Sequence, residues 1–177
     1  MLETKRLVLR PWEKSDAEAL YAIARDPKVG PAAGWKPHRN LAESYKIIGD
    51  ILIAPENYAM TRKETGELIG SIGFQFPGQS KLPLGRDEAE LGIWIGVPYW
   101  GNEYGLEASE AVIQHGFRDL GLTRIYVTSF TNNENSERLQ QKLGFRYRKT
   151  IEEYYCPQLE EYRAVNLRVV VNPELEI

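Results

Sequence analysis

A chain of 177 residues with 42% hydrophobic and 27% charged residues has the length and composition of one globular domain. Its formal net charge of −3 lacks the basic excess typical of nucleic-acid-binding proteins. One cysteine, Cys156, excludes an internal disulfide, and His38 and His115 are too few for a zinc cluster. Because no apolar run suits a signal peptide or a membrane span, we expect one cytoplasmic domain over residues 1–177, with no metal, nucleic acid or membrane partner.

The N-terminal part of the chain predicts a strand followed by two helices. Residues 7–9 are apolar and are followed by a proline, which is typical of a short strand. Ser15 is expected to cap the first helix, with Glu18 three residues further on as the second half of a capping box. Apolar residues recur at helical spacing over residues 40–53, and the glycines and prolines of residues 30–37 indicate a loop between the two helices.

From Tyr58 onward the hydrophobic period changes to that of strands, and it returns to the helical period twice. The order is strand, two helices, three strands, helix, strand, helix and two strands. This order indicates an α+β fold with a mixed, mostly antiparallel central sheet flanked by helices. The later predicted strands are 57–63, 67–76, 90–97, 124–130, 145–154 and 161–171, and the later predicted helices are 105–120 and a short one that ends at Gly144.

The segment from Glu90 to Ala108 predicts a strand, a turn that contains Gly101 and Gly105, and the start of a helix. The first backbone N–H groups of a helix have no partner inside the helix, and together with the helix dipole they form an anion site. The glycines would let a bulky phosphate approach the backbone. Two interpretations follow: a diphosphate site, or an ordinary strand–turn–helix connection.

A second polar segment, residues 131–136, lies between a predicted strand and the helix that ends at Gly144. Asn and Ser are preferred at helix N-termini, so a capping cluster would explain this composition. The alternative interpretation is a set of polar groups directed at a ligand in the same crevice as the first segment.

A series of short motifs extends from residue 89 to residue 145. They are Ala89-Glu90-Leu91-Gly92-x-Trp94, Tyr99-Trp100-Gly101-x-x-Tyr104-x-x-Glu107-Ala108, Gly121-Leu122-x-Arg124-Ile125, Asn133-x-x-Ser136 and Lys142-Leu143-Gly144-Phe145. In this order and spacing they resemble the GNAT acetyltransferase superfamily, and within it the branch of the ribosomal-protein (Rim-type) N-terminal acetyltransferases. The similarity is strong over residues 90–147 and weaker over nearly the whole chain, including the start at residues 2–10.

The resemblance implies an N-acetyltransferase that moves acetyl from acetyl-CoA directly to an amine, either a protein N-terminus or a small molecule, with no metal and no covalent acyl-enzyme. In such enzymes the strand at 91–97 splays from its neighbour, and its backbone holds the pantetheine arm. Asn133 would contact the cofactor, and Ser136 would return a proton to the leaving thiolate. Dimers are common in this branch, so a homodimer is among the expected assemblies. The implied cofactor-binding residues are Ile93, Trp94 and Ile95 on the strand and Gly101, Asn102, Glu103, Tyr104, Gly105 and Leu106 in the loop.

One position departs from the family pattern. The family's loop usually contains Gln/Arg-x-x-Gly-x-Gly/Ala, and Glu103 stands where the first glycine belongs. A left-handed backbone at a non-glycine residue costs about 1–2 kcal/mol. A carboxylate that faces phosphates is repelled unless its side chain turns to solvent. We expect weakened cofactor affinity, and the same feature supports a rival hypothesis: a non-catalytic acyl-CoA-binding sensor or interaction module on the same fold.

Attack by an amine requires its neutral form, so a base is expected near the thioester. Glu90, at the start of the cofactor strand, is the leading candidate, because the resemblance implies a carboxylate at this position. The alternative interpretation of Glu90 is a strand-edge charge that forms an ion pair with a lysine or arginine. Glu88 and Glu67 are weaker candidates for the base.

Four further side chains carry hypotheses. Trp35 and His38 would form a wall of the acceptor pocket, or the tryptophan would anchor its own loop in the core. His115 lies off the apolar stripe of its helix and is expected to be an exposed surface histidine. Cys156 has no adjacent histidine, which favours a structural or incidental role.

Overall fold

The computed structural model describes residues 1–175, and within this range the chain forms eight strands and five α-helices. No helix in this range is both long enough and apolar enough to cross a lipid bilayer. The strands are β1 (Leu2–Glu3), β2 (Leu7–Pro11), β3 (Asn57–Arg62), β4 (Leu68–Gln75), β5 (Glu88–Ile95), β6 (Arg124–Phe130), β7 (Arg146–Cys156) and β8 (Glu161–Val171). The helices are α1 (Ala17–Ala24), α2 (Gly30–Ala33), α3 (Leu41–Ile47), α4 (Tyr104–Arg118) and α5 (Glu134–Lys142), with 3₁₀ turns at Lys14–Asp16, Val97–Tyr99 and Pro173–Leu175 and a π-helical turn at Ile48–Leu52.

The eight strands form one sheet in the order β1-β2-β3-β4-β5-β6-β8-β7. The β5–β6 pair is parallel, and the other neighbouring pairs are antiparallel. Helix α4 forms the crossover between the two parallel strands, as a parallel pair requires. The predicted α+β fold with a mixed, mostly antiparallel sheet flanked by helices is therefore confirmed.

Three local predictions in the N-terminal part were incomplete or wrong. The two-residue strand β1 pairs with β2 and was not predicted, and the predicted loop at 30–37 contains the short helix α2. Ser15 does not cap α1, because the chain enters that helix through a 3₁₀ turn. Asp16 takes the position before the helix, and its carboxylate accepts a hydrogen bond from the Glu13 N–H (2.9 Å).

Two hydrophobic clusters cover the two faces of the sheet. Met60 and Ala59 are neighbours in β3, so their side chains point to opposite faces, and they belong to different clusters. The cluster of Met60 includes Val112 of α4, and the cluster of Ala59 includes Leu20 of α1. The sheet is thus a middle layer between α4 on one side and α1 with its neighbours on the other.

His115 of α4 is not the exposed surface histidine that the sequence predicted. Its side chain is only 15% exposed, and its two ring nitrogens lie 2.8 Å from Glu56 Oε2 and 2.7 Å from Asp119 Oδ2. Burial alone would lower the pKa of His115, but the hydrogen bonds to the two carboxylates outweigh it and raise the pKa. The prediction failed because Glu56 is distant in the sequence and approaches the helix only in the fold.

Gly116 lies where α4 packs tightly against Phe74 of the sheet. A Cβ at this position would lie 2.8 Å from Phe74 Cζ and 3.1 Å from Leu122 Cδ1, and both of those side chains are buried. Gly116→Ala should therefore lower the free energy of unfolding by about 1–3 kcal/mol through overpacking, although alanine in an open helix position gains up to about 1 kcal/mol. Urea unfolding measures this change. Gly49→Ala is the matched control, because its Cβ would meet only the flexible end of Lys14 at 3.5 Å, and equal stability losses in both variants would contradict the packing argument.

Candidate active site

A cavity of about 410 Å³ lies where β5 and β6 part. The two strands pair from Glu88–Arg124 to Glu90–Tyr126 and no further, although β5 continues to Ile95 and β6 to Phe130. The walls come from the two diverging strands, from the inner sides of α4 and α5, and from the end of β7. The parallel pair therefore opens into a cleft that begins at Glu90.

Three buried polar atoms on the walls of this cavity have no hydrogen-bond partner among the described residues. They are Ser109 Oγ of α4, Ser129 Oγ of β6 and Gln140 Oε1 of α5. Buried polar groups in native proteins are almost always paired, so unpaired groups that line one cavity indicate a polar ligand or ordered water there.

The open edge of β5 presents backbone groups to the cleft. Gly96 N–H donates to Ile69 O of β4 (2.8 Å), so the alternation along a strand turns the N–H and C=O of Ile93 and Ile95 to the opposite edge. Trp100 Nε1 donates to Ile95 O (2.8 Å) and occupies that carbonyl. Of these two residues, Ile93 therefore keeps both its N–H and its C=O free. An extended ligand would bond to these two groups in the way that a neighbouring strand does.

The N-terminal end of α4 lies beside the same cleft. Within residues 1–175, the backbone N–H groups of residues 101–106 donate no hydrogen bond to a protein acceptor. Gly101 and Glu103 both have left-handed backbones, with φ of 81° and 59°. A Cβ at Gly105 would lie 3.3 Å from Ile95 Cδ1 and 3.4 Å from Leu139 Cδ2, so a small residue lets the helix end sit close to β5 and α5. A cluster of free N–H groups at a helix N-terminus is suited to an anion.

The turn between β1 and β2 holds this loop in place. The Glu107 carboxylate in the first turn of α4 accepts hydrogen bonds from Thr4 Oγ1 (2.5 Å), Arg6 N (2.8 Å) and Arg6 Nε (2.7 Å). Burial opposes ionisation of Glu107, but the hydrogen bonds from Thr4 and Arg6 outweigh it and lower its pKa. Arg6 Nη2 also donates to Asn102 O (2.9 Å), and its guanidinium lies 4.4 Å from the centre of the Tyr104 ring. A long-range contact thus fixes the loop that presents the free N–H groups.

Glu90 is buried at the vertex of the cleft. It is 7% exposed, and its Oε2 accepts a hydrogen bond from Ser80 Oγ (3.2 Å). Burial raises the pKa of Glu90 to about 7, and the Ser80 hydrogen bond limits this rise. No basic side chain in residues 1–175 forms a salt bridge with Glu90, so the alternative interpretation as a strand-edge ion pair lacks its partner. A carboxyl group with a pKa near 7 can exchange a proton at neutral pH.

The two residues predicted from the polar segment lie at the start of α5. Asn133 is the N-cap of this helix, and its Oδ1 accepts from the Ser136 N–H (3.1 Å). Ser136 lines the cavity, whereas Asn133 caps the helix and is not one of the residues that line the cavity. The capping interpretation therefore describes the Asn133 oxygen, and a contact between Asn133 and the cofactor stays a prediction.

Comparison with known proteins identifies the family. A family model described as an acetyltransferase (GNAT) domain matches residues 6–146. An uncharacterised N-acetyltransferase, YoaA of Bacillus subtilis (strain 168), is 32% identical over 178 residues, which cover 98% of this chain and 97% of YoaA. The chain belongs to the GNAT acetyltransferase family.

Solved structures of this family share the fold. A GNAT-family acetyltransferase from Bacillus anthracis matches with a TM-score of 0.83 at 21% identity, over 97% of this chain and 98% of the other. A candidate ribosomal-protein-serine acetyltransferase from Vibrio cholerae matches with a TM-score of 0.78 at 23% identity, over 96% and 95% of the two chains. At these identities the likeness shows the GNAT fold, and it leaves the acceptor open.

Trp35 packs partly buried against the second core cluster and His38 is buried, and neither residue lines the cavity of this GNAT domain. Trp35 packs edge-on against Trp94 at 5.5 Å and lies 5.2 Å from the His38 ring. His38 is 8% exposed, its Nδ1 lies 2.8 Å from Ser44 Oγ, and burial lowers its pKa. The part of this loop that reaches the cavity is the stretch 32–34. An acceptor-binding role for the two side chains remains a prediction, and the loop-anchor interpretation describes their contacts.

Several contacts around the GNAT cleft were not predicted from the sequence. Ser80 contacts Glu90 from a loop that offered no motif, and Tyr154 and Cys156 reach the cavity from the far end of β7. Lys142 forms an ion pair with Glu103 (3.2 Å). Period-2 alternation in β7 was the one available signal for Tyr154 and Cys156, since both positions point to the same face.

Glu90 generates a prediction about stability. Its pKa is about 7 in the folded chain and 4.5 in its ordinary state, so the folded protein retains this proton to higher pH. The wild type should then lose stability, relative to a variant without this titration, as the pH rises from about 4.5 to about 7. Compared with the wild type, Glu90→Gln should gain on the order of 2–3 kcal/mol of unfolding free energy between pH 5 and pH 8. Urea titrations of both proteins at the two pH values measure this difference, and a constant difference would show that Glu90 does not titrate in this range.

Glu103 generates a prediction about cofactor affinity. Its carboxylate and its partner Lys142 are mostly exposed, at 64% and 59%, so their net field at the phosphate site is screened by water and salt. Glu103→Gln and Glu103→Gly should each tighten coenzyme A binding by no more than roughly fivefold, and the change should shrink in 0.5 M salt. Isothermal titration calorimetry tests this, with Glu64→Gln as an exposed control. A hundredfold gain in Glu103→Gly would show that the native loop is compromised.

Proposed function

We propose that this GNAT protein transfers an acetyl group from acetyl-CoA directly to an amine, with Glu90 as the general base and Ser136 as the proton donor to the leaving sulfur. The observation that carries the proposal is the buried Glu90 at the vertex of a cleft whose walls hold unpaired polar groups. Acetyl-CoA would supply the acetyl group as a reactive thioester.

The residues of the cleft fit acetyl-CoA part by part. The free N–H groups of residues 101–106 suit the diphosphate, and Glu103 belongs to this set through its backbone N–H rather than its carboxylate. The free backbone groups of Ile93 suit the amides of the pantetheine arm. Ser109 and Gln140 offer further hydrogen bonds from the two helices that flank the cleft. The side chain of Trp94 packs against the second core cluster and its backbone groups face β4, so a contact between Trp94 and the cofactor stays a prediction.

Glu90 and Ile93 face opposite sides of β5, since side chains alternate along a strand. An amine can therefore approach from the Glu90 side while the acyl donor lies along the open edge. Gly92 shares the Glu90 side, and a Cβ placed there would meet no atom within 4 Å. The missing side chain leaves a passage toward the base.

The proton transfers follow from these positions. Glu90 accepts a proton from the bound ammonium, the neutral amine nitrogen forms a bond to the acetyl carbon, and the carbon–sulfur bond breaks. As the carbon–sulfur bond breaks, the second proton leaves the new amide nitrogen and passes to the Ser136 hydroxyl, which gives its own proton to the departing sulfur and so ends neutral. Direct transfer is favoured over an acyl-enzyme, because burial raises the pKa of the Cys156 thiol and keeps the one cysteine of the chain protonated.

The acceptor is an amine of one of two classes, a protein N-terminus or a small molecule. The Vibrio cholerae neighbour named for ribosomal-protein-serine acetylation resembles this chain in fold, so a peptide that begins with serine belongs in a test panel beside diamines and amino sugars. The rival function, an acyl-CoA-binding sensor, would use the same cleft without needing Glu90 or Ser136.

Acetyl transfer is tested by the release of free thiol from acetyl-CoA across this amine panel. Glu90→Gln should lower kcat/KM for the best acceptor by about 10²–10⁴-fold, since general-base catalysis contributes that much. Thermal stabilisation by coenzyme A should stay unchanged in this variant, because Glu90 faces the acceptor side.

Glu64→Gln is the matched control, since Glu64 is a carboxylate whose side chain is 86% exposed; its activity should equal that of the wild type. The sensor hypothesis would be favoured over the enzyme if acetyl-CoA stabilised the protein but no amine caused thiol release. The same stabilisation would then be seen in Glu90→Gln and Ser136→Ala. No stabilisation at millimolar coenzyme A would defeat both functions.

A further inference from the structure

Ser80 connects the base to the loop between β4 and β5. Its Oγ donates to Glu90 Oε2 (3.2 Å) and accepts from the Leu82 N–H (3.0 Å). A serine hydroxyl has one hydrogen, and the Leu82 N–H brings its own, so the Ser80 hydrogen is directed at Glu90. The other carboxylate oxygen, Oε1, is left for an acceptor amine.

The loop that carries Ser80 is a hydrogen-bonded structure of its own. Phe76 O accepts from the N–H groups of Gln79 (2.9 Å) and Ser80 (3.1 Å), and the Phe76 N–H donates to Gln79 Oε1 (2.9 Å). Gly78 supplies the left-handed turn with φ of 89°, and Leu82 is buried and anchors the far end. Ser80 is therefore held against Glu90 by the loop rather than by chance contact of an exposed side chain.

We propose that Ser80 is a positioning residue, which orients the Glu90 carboxylate toward the acceptor and stabilises its ionised form. This inference rests on the proposed function, in which Glu90 is the base. It adds a residue to the reaction that neither the motifs nor the family comparison assigns.

Other groups around Glu90 do not replace this hydrogen bond. Within residues 1–175, the Ser80 hydroxyl is the group that donates a hydrogen bond to the Glu90 carboxylate. Burial has the opposite effect, because it favours the neutral carboxyl group. Tyr154 lies near Glu90, and burial followed by the Glu90 charge raises the pKa of this phenol, so it stays neutral. Three other titratable groups line the same cavity: Lys81 of the loop, and Tyr154 and Cys156 of β7. Lys81 Nζ lies 5.5 Å from the centre of the Tyr155 ring. Tyr126 of β6 pairs with Glu90 in register, and its hydroxyl donates to Glu88.

The pH dependence of kcat/KM separates positioning from a general structural role. A hydrogen bond of ordinary net strength, as expected for the long Ser80–Glu90 contact of 3.2 Å, corresponds to roughly half to one unit on the pH axis, so Ser80→Ala should move the acidic limb of the profile upward by that amount. Its kcat/KM should fall about 3–10-fold at pH 6 and return to the wild-type value at pH 9. Ser80→Thr keeps the hydroxyl and should keep the wild-type profile, and Ser15→Ala, on an exposed turn, is the matched control. An equal loss at every pH, or an unshifted limb, would overturn the inference.

A second measurement does not depend on turnover. Ser80→Ala and the double variant Ser80→Ala/Glu90→Gln are unfolded in urea across pH 5–9. The difference between them should change at a higher pH than the difference between the wild type and Glu90→Gln. If no amine is acetylated, the proposed function fails while this comparison still tests the Ser80–Glu90 contact. Should Ser80→Ala fail to fold, Ser80→Cys, whose thiol is a weak donor, takes its place with the same expected shift.

Discussion

The parting of β5 and β6 after the Glu90–Tyr126 pair is the constraint on which the rest of the site depends. A strand inside a sheet normally uses the backbone groups of both edges, whereas β5 keeps its β4 partner to Ile95 and loses β6 five residues earlier. The unpaired edge must bond to something, and the two helices beyond it leave a cleft rather than another strand. Glu90 sits at the last paired position, so the sheet itself buries the carboxyl group that we propose as the base.

The helix end beside this cleft shows how a strained loop is retained. Glu103 has a left-handed backbone that glycine would adopt at no cost. Its neighbours compensate: Arg6 bonds Asn102 O and Glu107, and Lys142 pairs with the Glu103 carboxylate. These contacts come from the turn between β1 and β2 and from α5, far away in the sequence. The loop before α4 thus depends on long-range side chains where the usual family pattern depends on a glycine.

Sequence patterns predicted the features that lie within one local window. The strand–turn–helix at 90–108, the glycine-ended helix α4 and the order of elements all follow from hydrophobic period and turn residues. Ser80 and the environment of His115 could not be predicted, because each is defined by a partner that only the tertiary fold brings close. The same reason applies to Trp35. Its apolar ring was consistent with both a pocket wall and a loop anchor, and its packing against Trp94 is visible only in the fold.

The alternation of β5 explains how two substrates can meet on one strand. Leu91 and Ile93 face the α4 side with the first core cluster, and Glu90 and Gly92 face the other side. In the proposed function a donor along the open edge of β5 would present its acyl carbon between the two faces, and the amine would approach from the Glu90 side. The Glu90 carboxyl group is buried, and burial raises its pKa to about 7, while a Cβ at Gly92 beside it would meet no atom within 4 Å. Burial of the base and access for the amine would conflict at most positions of a sheet, and a glycine two residues from the carboxylate on the same face resolves that conflict.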